Sequence, residues 1–373
     1  MSALAPIILT VLPLMTSQIK RDETVVFYPV FARLDGDAAA WTFRVHGKIY
    51  EPEQGSWRRG LGVATLRRAL RVEKDTPEAE TFDRRVRLFL VDNEGGKEIA
   101  VRIGPAVYPA GTSGANGHFE AAIRLPAAEA EKLLGRRPAA GPWIRLEAVT
   151  RQRDRRRFTG RVQLIGREGL SIISDIDDTI KHTQVRQRSQ MLANTFLREF
   201  KPVPGMAALY QRAARAGAAV HYVSGSPWQL YEPLEAFCRR EGFPPGSFHL
   251  KHFRLKDSTA LDVLGSQEDY KAGHIEPILA AFPGRRFLLV GDSGEQDPEI
   301  YGRLARQHPE QVAAVWIRNV TVEKADSPRM RAAFEGVAPN RWRLFDRAGE
   351  LEALLDALTA RREAPPQQGL MAS

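Results

Sequence analysis

From about Thr24 to Ile165 the apolar positions recur at short range, often alternating with polar ones. Val25–Phe31, Trp41–Tyr50, Arg85–Asp92, His118–Leu125, Trp143–Val149 and Phe158–Ile165 read as strands. In Val86–Val91, the residues Val86, Leu88 and Leu90 share one face. Turn-forming clusters at Asp35-Gly36-Asp37, Asn93–Gly96 and Gly111–Gly117 separate these runs. One helical stretch near Gly62–Val72 carries Arg67, Arg68 and Arg71, and a second spans Ala127–Leu134. Evenly spaced strands without crossover helices predict a β-rich, sandwich-like N-terminal domain over residues 23–168.

From about Leu170 the rhythm changes to strand–helix alternation, the pattern of a parallel α/β sheet. Strands are expected at Ser171–Ser174, Ala218–Ser224, Phe248–Leu255, Arg286–Gly291 and Val312–Ile317, and helices at Met206–Ala216, Trp228–Arg240, Tyr270–Phe282 and Pro298–Gln307. A last amphipathic helix, Glu350–Arg361, aligns Leu351, Leu354, Leu355 and Leu358. This α/β domain is expected over residues 169–361. Residues 1–22 form an apolar leader, read as disordered or as an interfacial tether: Ala3–Met15 is too short for a span, contains Pro6 and Pro13, and lacks a basic flank. The Pro/Gln-rich tail, residues 362–373, is expected to be disordered.

Composition narrows the class without choosing a function. The 373 residues are 43% hydrophobic and 27% charged, as in soluble globular proteins of about two domains. The net charge of +9 favours anionic partners: nucleic acid, acidic membrane surfaces or phosphorylated substrates. No nucleic-acid module is recognisable, so no specific nucleic-acid partner is expected. Cys238 is the single cysteine, which excludes an internal disulfide and fits a reducing, cytoplasmic setting. Arg151–Arg157 packs five arginines around one aspartate between two expected strands. It reads as a solvated hairpin tip, or as a dock for anionic headgroups in peripheral membrane association.

The candidate chemistry centres on Ser171–Thr183, SIISDIDDTIKHT. The β-branched run stops at Asp175, with Asp177 and Asp178 close behind. Three carboxylates at the end of a buried strand need neutralising, and hard oxygen ligands suit Mg²⁺. In a parallel sheet, ligands bind beyond the carboxyl ends of the strands. Two further strand ends carry complementary residues. One ends in Ser224-Gly225-Ser226-Pro227, where a hydroxyl and loop amides precede a helix and form a seat for phosphate. The other ends in Gly291-Asp292-Ser293-Gly294-Glu295-Gln296-Asp297. Gly111–Gly117 is a plain loop, since no Lys-Ser/Thr follows and a strand comes next. Phe248-His249-Leu250-Lys251-His252 lacks acidic partners and reads as a strand.

The D-x-D-x-T pattern at Asp175, Asp177 and Thr179 resembles the first signature of the haloacid-dehalogenase (HAD) phosphatases. The resemblance implies that Asp175 attacks phosphorus and that Asp177 is the general acid and then the base. It assigns phosphate binding to Thr179, Ser224 and Gly225. It makes Lys271 the lysine that balances the aspartates and holds the phosphoryl oxygens, with Lys256 as the alternative. Mg²⁺ would be held by Asp175, the Asp177 carbonyl and Asp292, with Asp297 supporting and Glu295 as another contact. SDIDDTIKHT, YVSGSPWQLY, Lys271 with Gly273-His274-Ile275, and LVGDSGEQDPEIY resemble the catalytic domain of actin-patch-type phosphatidate phosphatases, which have lipin relatives. That resemblance covers Leu170–Ile317 and implies Mg²⁺-dependent hydrolysis of phosphatidate to diacylglycerol through an aspartyl phosphate. The alternative is a soluble phosphomonoester or phosphoprotein substrate. The spacing leaves room only for a short insert, Lys181–Val203, so no sizeable cap is expected. Its Met191, Leu192, Thr195, Phe196 and Phe200 either touch lipid or pack on the core. His182 is read as a substrate contact or a structural histidine, and Trp228 as lining the cleft or, in preference, as a core aromatic.

Overall fold

The computed structural model describes residues 15–52, 57–135, 142–252 and 268–360. Residues 1–14 of the expected leader, Lys256, Arg361 and the tail 362–373 lie outside the described residues. The end of the leader is not disordered, since the Ser17 and Gln18 N–H groups donate to the Val149 and Glu98 carbonyls and Ile19 is buried in the core of the β-rich half.

The first half is β-rich, as expected. Its strands are β1 (Thr24–Phe27), β2 (Val30–Leu34), β3 (Ala40–Glu51), β4 (Asp92–Asn93), β5 (Glu98–Ile103), β6 (Ala106–Thr112), β7 (His118–Pro126), β8 (Trp143–Ala148) and β9 (Thr159–Ile165). All belong to one hydrogen-bonded sheet, in which the long β3 pairs with β1, β2, β4 and β7. Pairing is antiparallel except between β2 and β9. Alternate residues, among them Val25, Phe43, Val45, Ile123, Leu146 and Val162, form one core. Helices α1 (Trp57–Ala69), α2 (Pro77–Arg87) and α3 (Ala127–Leu134) interrupt the strands.

Three expectations change here. The run Val25–Phe31 is two strands, broken at Tyr28-Pro29, where proline supplies no donor to a ladder. The supposed strand Arg85–Asp92 is mostly the end of α2 and the turn after it. Thr76 caps that helix, its Oγ1 accepting from the Ala79 N–H at 3.2 Å, and Ala79, Phe82 and Val86 are buried at helical spacing. The alternation Val86/Leu88/Leu90 was therefore a coincidence of phase. Strands β5 and β6 carried little sequence signal, because Gly104, Pro109 and Gly111 break up the hairpin.

The second half is α/β. Its elements are β10 (Leu170–Ser174), α4 (Arg188–Phe196), α5 (Met206–Arg215), β11 (Ala219–Pro227), α6 (Tyr231–Arg240), β12 (Ser247–Lys251), α7 (Glu268–Ala281), β13 (Arg286–Asp292), α8 (Asp297–Gln307), β14 (Val312–Arg318), α9 (Pro328–Ala333), β15 (Trp342–Phe345) and α10 (Glu352–Thr359). The order β12-β11-β10-β13-β14-β15 is parallel throughout. Apolar residues cover both faces, which is why these strands read as continuous rather than alternating runs. From β10 the chain winds outward to β12, then returns to β13 on the other side. The carboxyl ends of β10 and β13 thus flank the point where the winding reverses, the place at which open α/β sheets bind their ligands.

The two sheets meet at the β1–β2 corner. Tyr28 joins the core of the α/β half and packs on Trp228 with ring centroids 4.0 Å apart. Phe31 packs edge-on against His221, and the Phe248 N–H donates to the Pro29 carbonyl at 3.3 Å. Trp228 is thus a core aromatic, as expected. The helix α4 buries Met191, and Phe200 beyond it joins the core. Arg85 of α2 ties α4 down by donating to the carbonyls of Thr195 at 2.5 Å and Arg198 at 2.8 Å. Met191 and Phe200 of this face thus pack on protein, while Leu192, Thr195 and Phe196 are half-buried.

Candidate active site

Asp175 follows β10 directly. Its N–H donates to the Val290 carbonyl at 2.9 Å, which extends the β10–β13 ladder and sets Asp175 beside the end of β13. The chain then turns tightly, with the Ile180 and Lys181 N–H groups both donating to the Ile176 carbonyl at 3.0 Å. Asp178 sits in the left-handed region at φ 57°. Its carboxylate accepts from the N–H groups of Thr183, Gln184 and Val185, each at 2.8 Å, and Arg318 donates to its carbonyl at 2.6 Å. The third carboxylate of the motif therefore shapes the loop and faces away from the reaction centre.

Asp177 is held by four side chains. Thr183 Oγ1 donates to it at 2.7 Å, Ser226 Oγ at 2.7 Å and Ser224 Oγ at 3.1 Å, while Lys181 Nζ lies 2.7 Å away. Burial alone would raise its pKa, but Lys181 and these hydroxyls outweigh it and hold the carboxyl at about 2. The serine loop at the end of β11 thus meets Asp177 directly, and Gly225 is the buried link between its two hydroxyls.

Asp292 ends β13. The Gly294 N–H donates to its Oδ1 at 2.6 Å, and its own N–H donates to Asp297 Oδ2 at 3.1 Å. Asp297 opens α8 and lies so close to Gly291 that a Cβ there would come within 2.2 Å of Asp297 Oδ2. Lys271, on α7, is fully buried. Its Nζ lies 2.5 Å from Asp297, 2.8 Å from Glu295 and 3.1 Å from Asp175. Burial would lower the lysine pKa, yet the Asp175, Asp297 and Glu295 carboxylates keep it well above its ordinary value. Thr179 Oγ1 donates to Asp175 Oδ2 at 3.0 Å.

The structure therefore gathers Asp175, Asp177, Thr179, Ser224, Gly225, Lys271, Asp292 and Asp297 at the same end of the sheet. Oxygens of Asp175, Asp292, Glu295 and Asp297 lie within 4.8 Å of one another. The Asp177 carboxylate is not among them. Among the described residues, buried Asp292 Oδ2 accepts no hydrogen bond, and buried Asp175 Oδ1 has only the Lys271 ammonium, 3.1 Å away. Burial, reinforced by the neighbouring acids, pushes both carboxyls well above the usual range. Four acids facing one ammonium leave an excess of negative charge, and all donors are hard oxygens, so the residues present fit a divalent cation.

Lys181, Thr183, Ser226 and Arg329 were missed as site residues. Lys181 sits four residues after Asp177, a spacing that a search for carboxylate partners could have used. Arg329 donates to the Ser293 and Glu295 carbonyls, each at 2.5 Å, and so fixes the acidic loop. It comes from α9, and no sequence spacing announces it. His182 is half-buried, and its ring makes no hydrogen bond among those described.

Residues 170–319 match the family model of the phosphatidate phosphatase APP1 catalytic domain. Phosphatidate phosphatase APP1 of Saccharomyces cerevisiae is 37% identical over 164 residues, 43% of this chain and 27% of that protein. An uncharacterised protein of Schizosaccharomyces pombe is 29% identical over 181 residues, 48% of this chain and 29% of that protein. The chain thus spans under a third of the length of the curated relatives it matches.

Proposed function

We propose that this chain is a Mg²⁺-dependent phosphomonoesterase that hydrolyses phosphatidate to diacylglycerol and phosphate, working as a HAD-type phosphatase. The observation that carries this reading is the convergence of Asp175, Asp292, Glu295 and Asp297 beside Asp177, with a buried Asp292 oxygen that no hydrogen bond satisfies among the described residues and only the Lys271 ammonium to balance the four acids. The match to the phosphatidate phosphatase catalytic domain supports the substrate.

Asp175, Asp292 and the supporting Asp297 and Glu295 would hold the cation, which would neutralise the excess negative charge and draw off charge from a phosphoryl oxygen. Asp175 attacks phosphorus, a P–O bond forms to its carboxylate, and the bond to the glycerol oxygen breaks. Asp177 rests as a carboxylate. A phosphate brought beside it raises its proton affinity, so a proton taken up with the substrate is passed to the departing alkoxide. Asp177, again a carboxylate, then accepts a proton from water as the water attacks the aspartyl phosphate. Lys271 steadies the Asp175 carboxylate, and Ser224, Ser226 and Lys181 orient Asp177. No helix among the described residues is long and apolar enough to cross a membrane, so a lipid substrate would be met at the bilayer surface. The exposed Arg151, Arg153 and Arg155 at the β8–β9 hairpin suit an anionic bilayer.

Phosphate release from phosphatidate in mixed micelles, compared with a soluble aryl phosphate and with Mg²⁺ or EDTA, tests this reading. Turnover is expected on the lipid and only with Mg²⁺, and Asp175→Asn should abolish it while leaving the fold intact. Activity confined to soluble phosphates would move the substrate to that class, and a fully active Asp175→Asn would remove the nucleophile.

A further inference from the structure

A second cluster of potential ligands lies where the two sheets meet, apart from the acidic site. His46 on β3, His118 at the start of β7 and His252 just past β12 bring one ring nitrogen each within 4.8 Å of one another. We propose that these three imidazoles form a transition-metal site, with Zn²⁺ as the preferred ion, that clamps the β-rich sheet to the α/β half.

The geometry is close to what such an ion needs. His46 Nε2 and His118 Nδ1 are 3.1 Å apart. Zn–N bonds of about 2.0–2.1 Å in a tetrahedral shell place two ligand nitrogens about 3.3 Å apart. The His118 and His252 rings meet edge to face, with centroids 4.5 Å apart and planes at 80°. His252 is exposed and closes the solvent side of the cluster. Burial holds His46 and His118 in the neutral form that binds metal. The donor set also separates this site from the acidic one. Imidazoles suit Zn²⁺, whereas four carboxylates suit Mg²⁺.

The clamp has a structural consequence. His46 packs edge-on against Trp228, with centroids 4.8 Å apart and planes at 88°. Trp228 directly follows the Ser224–Pro227 loop that holds Asp177. A metal joining β3, β7 and the end of β12 therefore braces the packing under that loop.

The test uses the full chain, stripped with EDTA and then held in saturating Mg²⁺ so that the acidic site is occupied. Zn²⁺ is titrated by calorimetry, and Co²⁺ serves as a visible-absorption probe. One Zn²⁺ per chain, a raised Tm and the intense bands of four-coordinate Co²⁺ are expected. His252→Ala and His118→Gln should each weaken Zn²⁺ binding by more than the roughly 10- to 100-fold that losing an outer-shell partner costs. Asp292→Asn should leave Zn²⁺ binding unchanged. No Zn²⁺ uptake in Mg²⁺, or uptake that survives His252→Ala in a variant whose metal-free Tm equals that of the parent, would overturn the site and leave His46 and His118 as a simple hydrogen-bonded pair.

Discussion

Lys271→Met removes the ammonium from the acidic site while keeping an unbranched side chain to fill the space. Lys271 Nζ contacts Asp175, Glu295 and Asp297 at 3.1, 2.8 and 2.5 Å and is wholly buried. Breaking a buried ion pair by removing one partner costs about 3–5 kcal/mol, because charge is left without compensation. At about 2–4 °C per kcal/mol for a unit of this size, the Tm in EDTA should fall by roughly 6–20 °C. Mg²⁺ should return much of the loss, since a ligand at a hundred times its Kd contributes about 2.7 kcal/mol. The parent should gain less from Mg²⁺ than the variant, because its lysine already neutralises part of the cluster and repels a cation. The cost should also shrink as pH falls, when protons replace the missing ammonium. Calorimetric unfolding of both proteins in EDTA and in Mg²⁺ measures all of this. A loss equal in the two media, or a larger Mg²⁺ shift for the parent, would refute the view that four carboxylates compete for one compensating charge.

Gly291→Ala should cost about 1–3 kcal/mol by overpacking and lower turnover, because its Cβ would displace Asp297 from Lys271 and from the Asp292 N–H; kinetics with a parallel Tm measurement checks it. The His221 Nδ1 is 2.8 Å from Ser247 Oγ, its buried Nε2 has no hydrogen-bond partner among the described residues, and burial keeps its pKa well below the ordinary 6.5. The unfolded chain then binds a proton that the folded one refuses, so stability is full above about pH 6.5 and lost below it. His221→Gln should flatten that slope by up to about 1.4 kcal/mol per pH unit in urea unfolding. Arg156→Ala should cost about 1–3 kcal/mol, since Arg156 donates to the carbonyls of Lys20, Arg21 and Glu23 and pairs with Asp154. Arg153→Ala, at an exposed position, should change stability by under about 0.5 kcal/mol and weaken binding to anionic vesicles by about 1 kcal/mol.

The order of residues along the chain determined the parallel half and most of its acidic site. Continuous apolar runs such as Ile172-Ile173 and Phe287–Val290 mark strands buried on both faces, and a parallel sheet puts all their carboxyl ends on one side. Asp175, Asp292 and the Ser224 loop had to fall on one edge for that reason alone. The phase of short amphipathic runs was less legible: Val86, Leu88 and Leu90 fit a strand, while the Thr76 cap and the spacing of Ala79, Phe82 and Val86 made α2 a helix. Only the tertiary structure decided which charges answer which. Lys181 on Asp177, Arg329 on the acidic loop and Asp178 turned to backbone are choices among residues that composition cannot tell apart, because an ion pair depends on distance through space. The same holds for His46, His118 and His252, which lie far apart in the chain and meet only because two sheets pack at the corner formed by Tyr28 and Trp228.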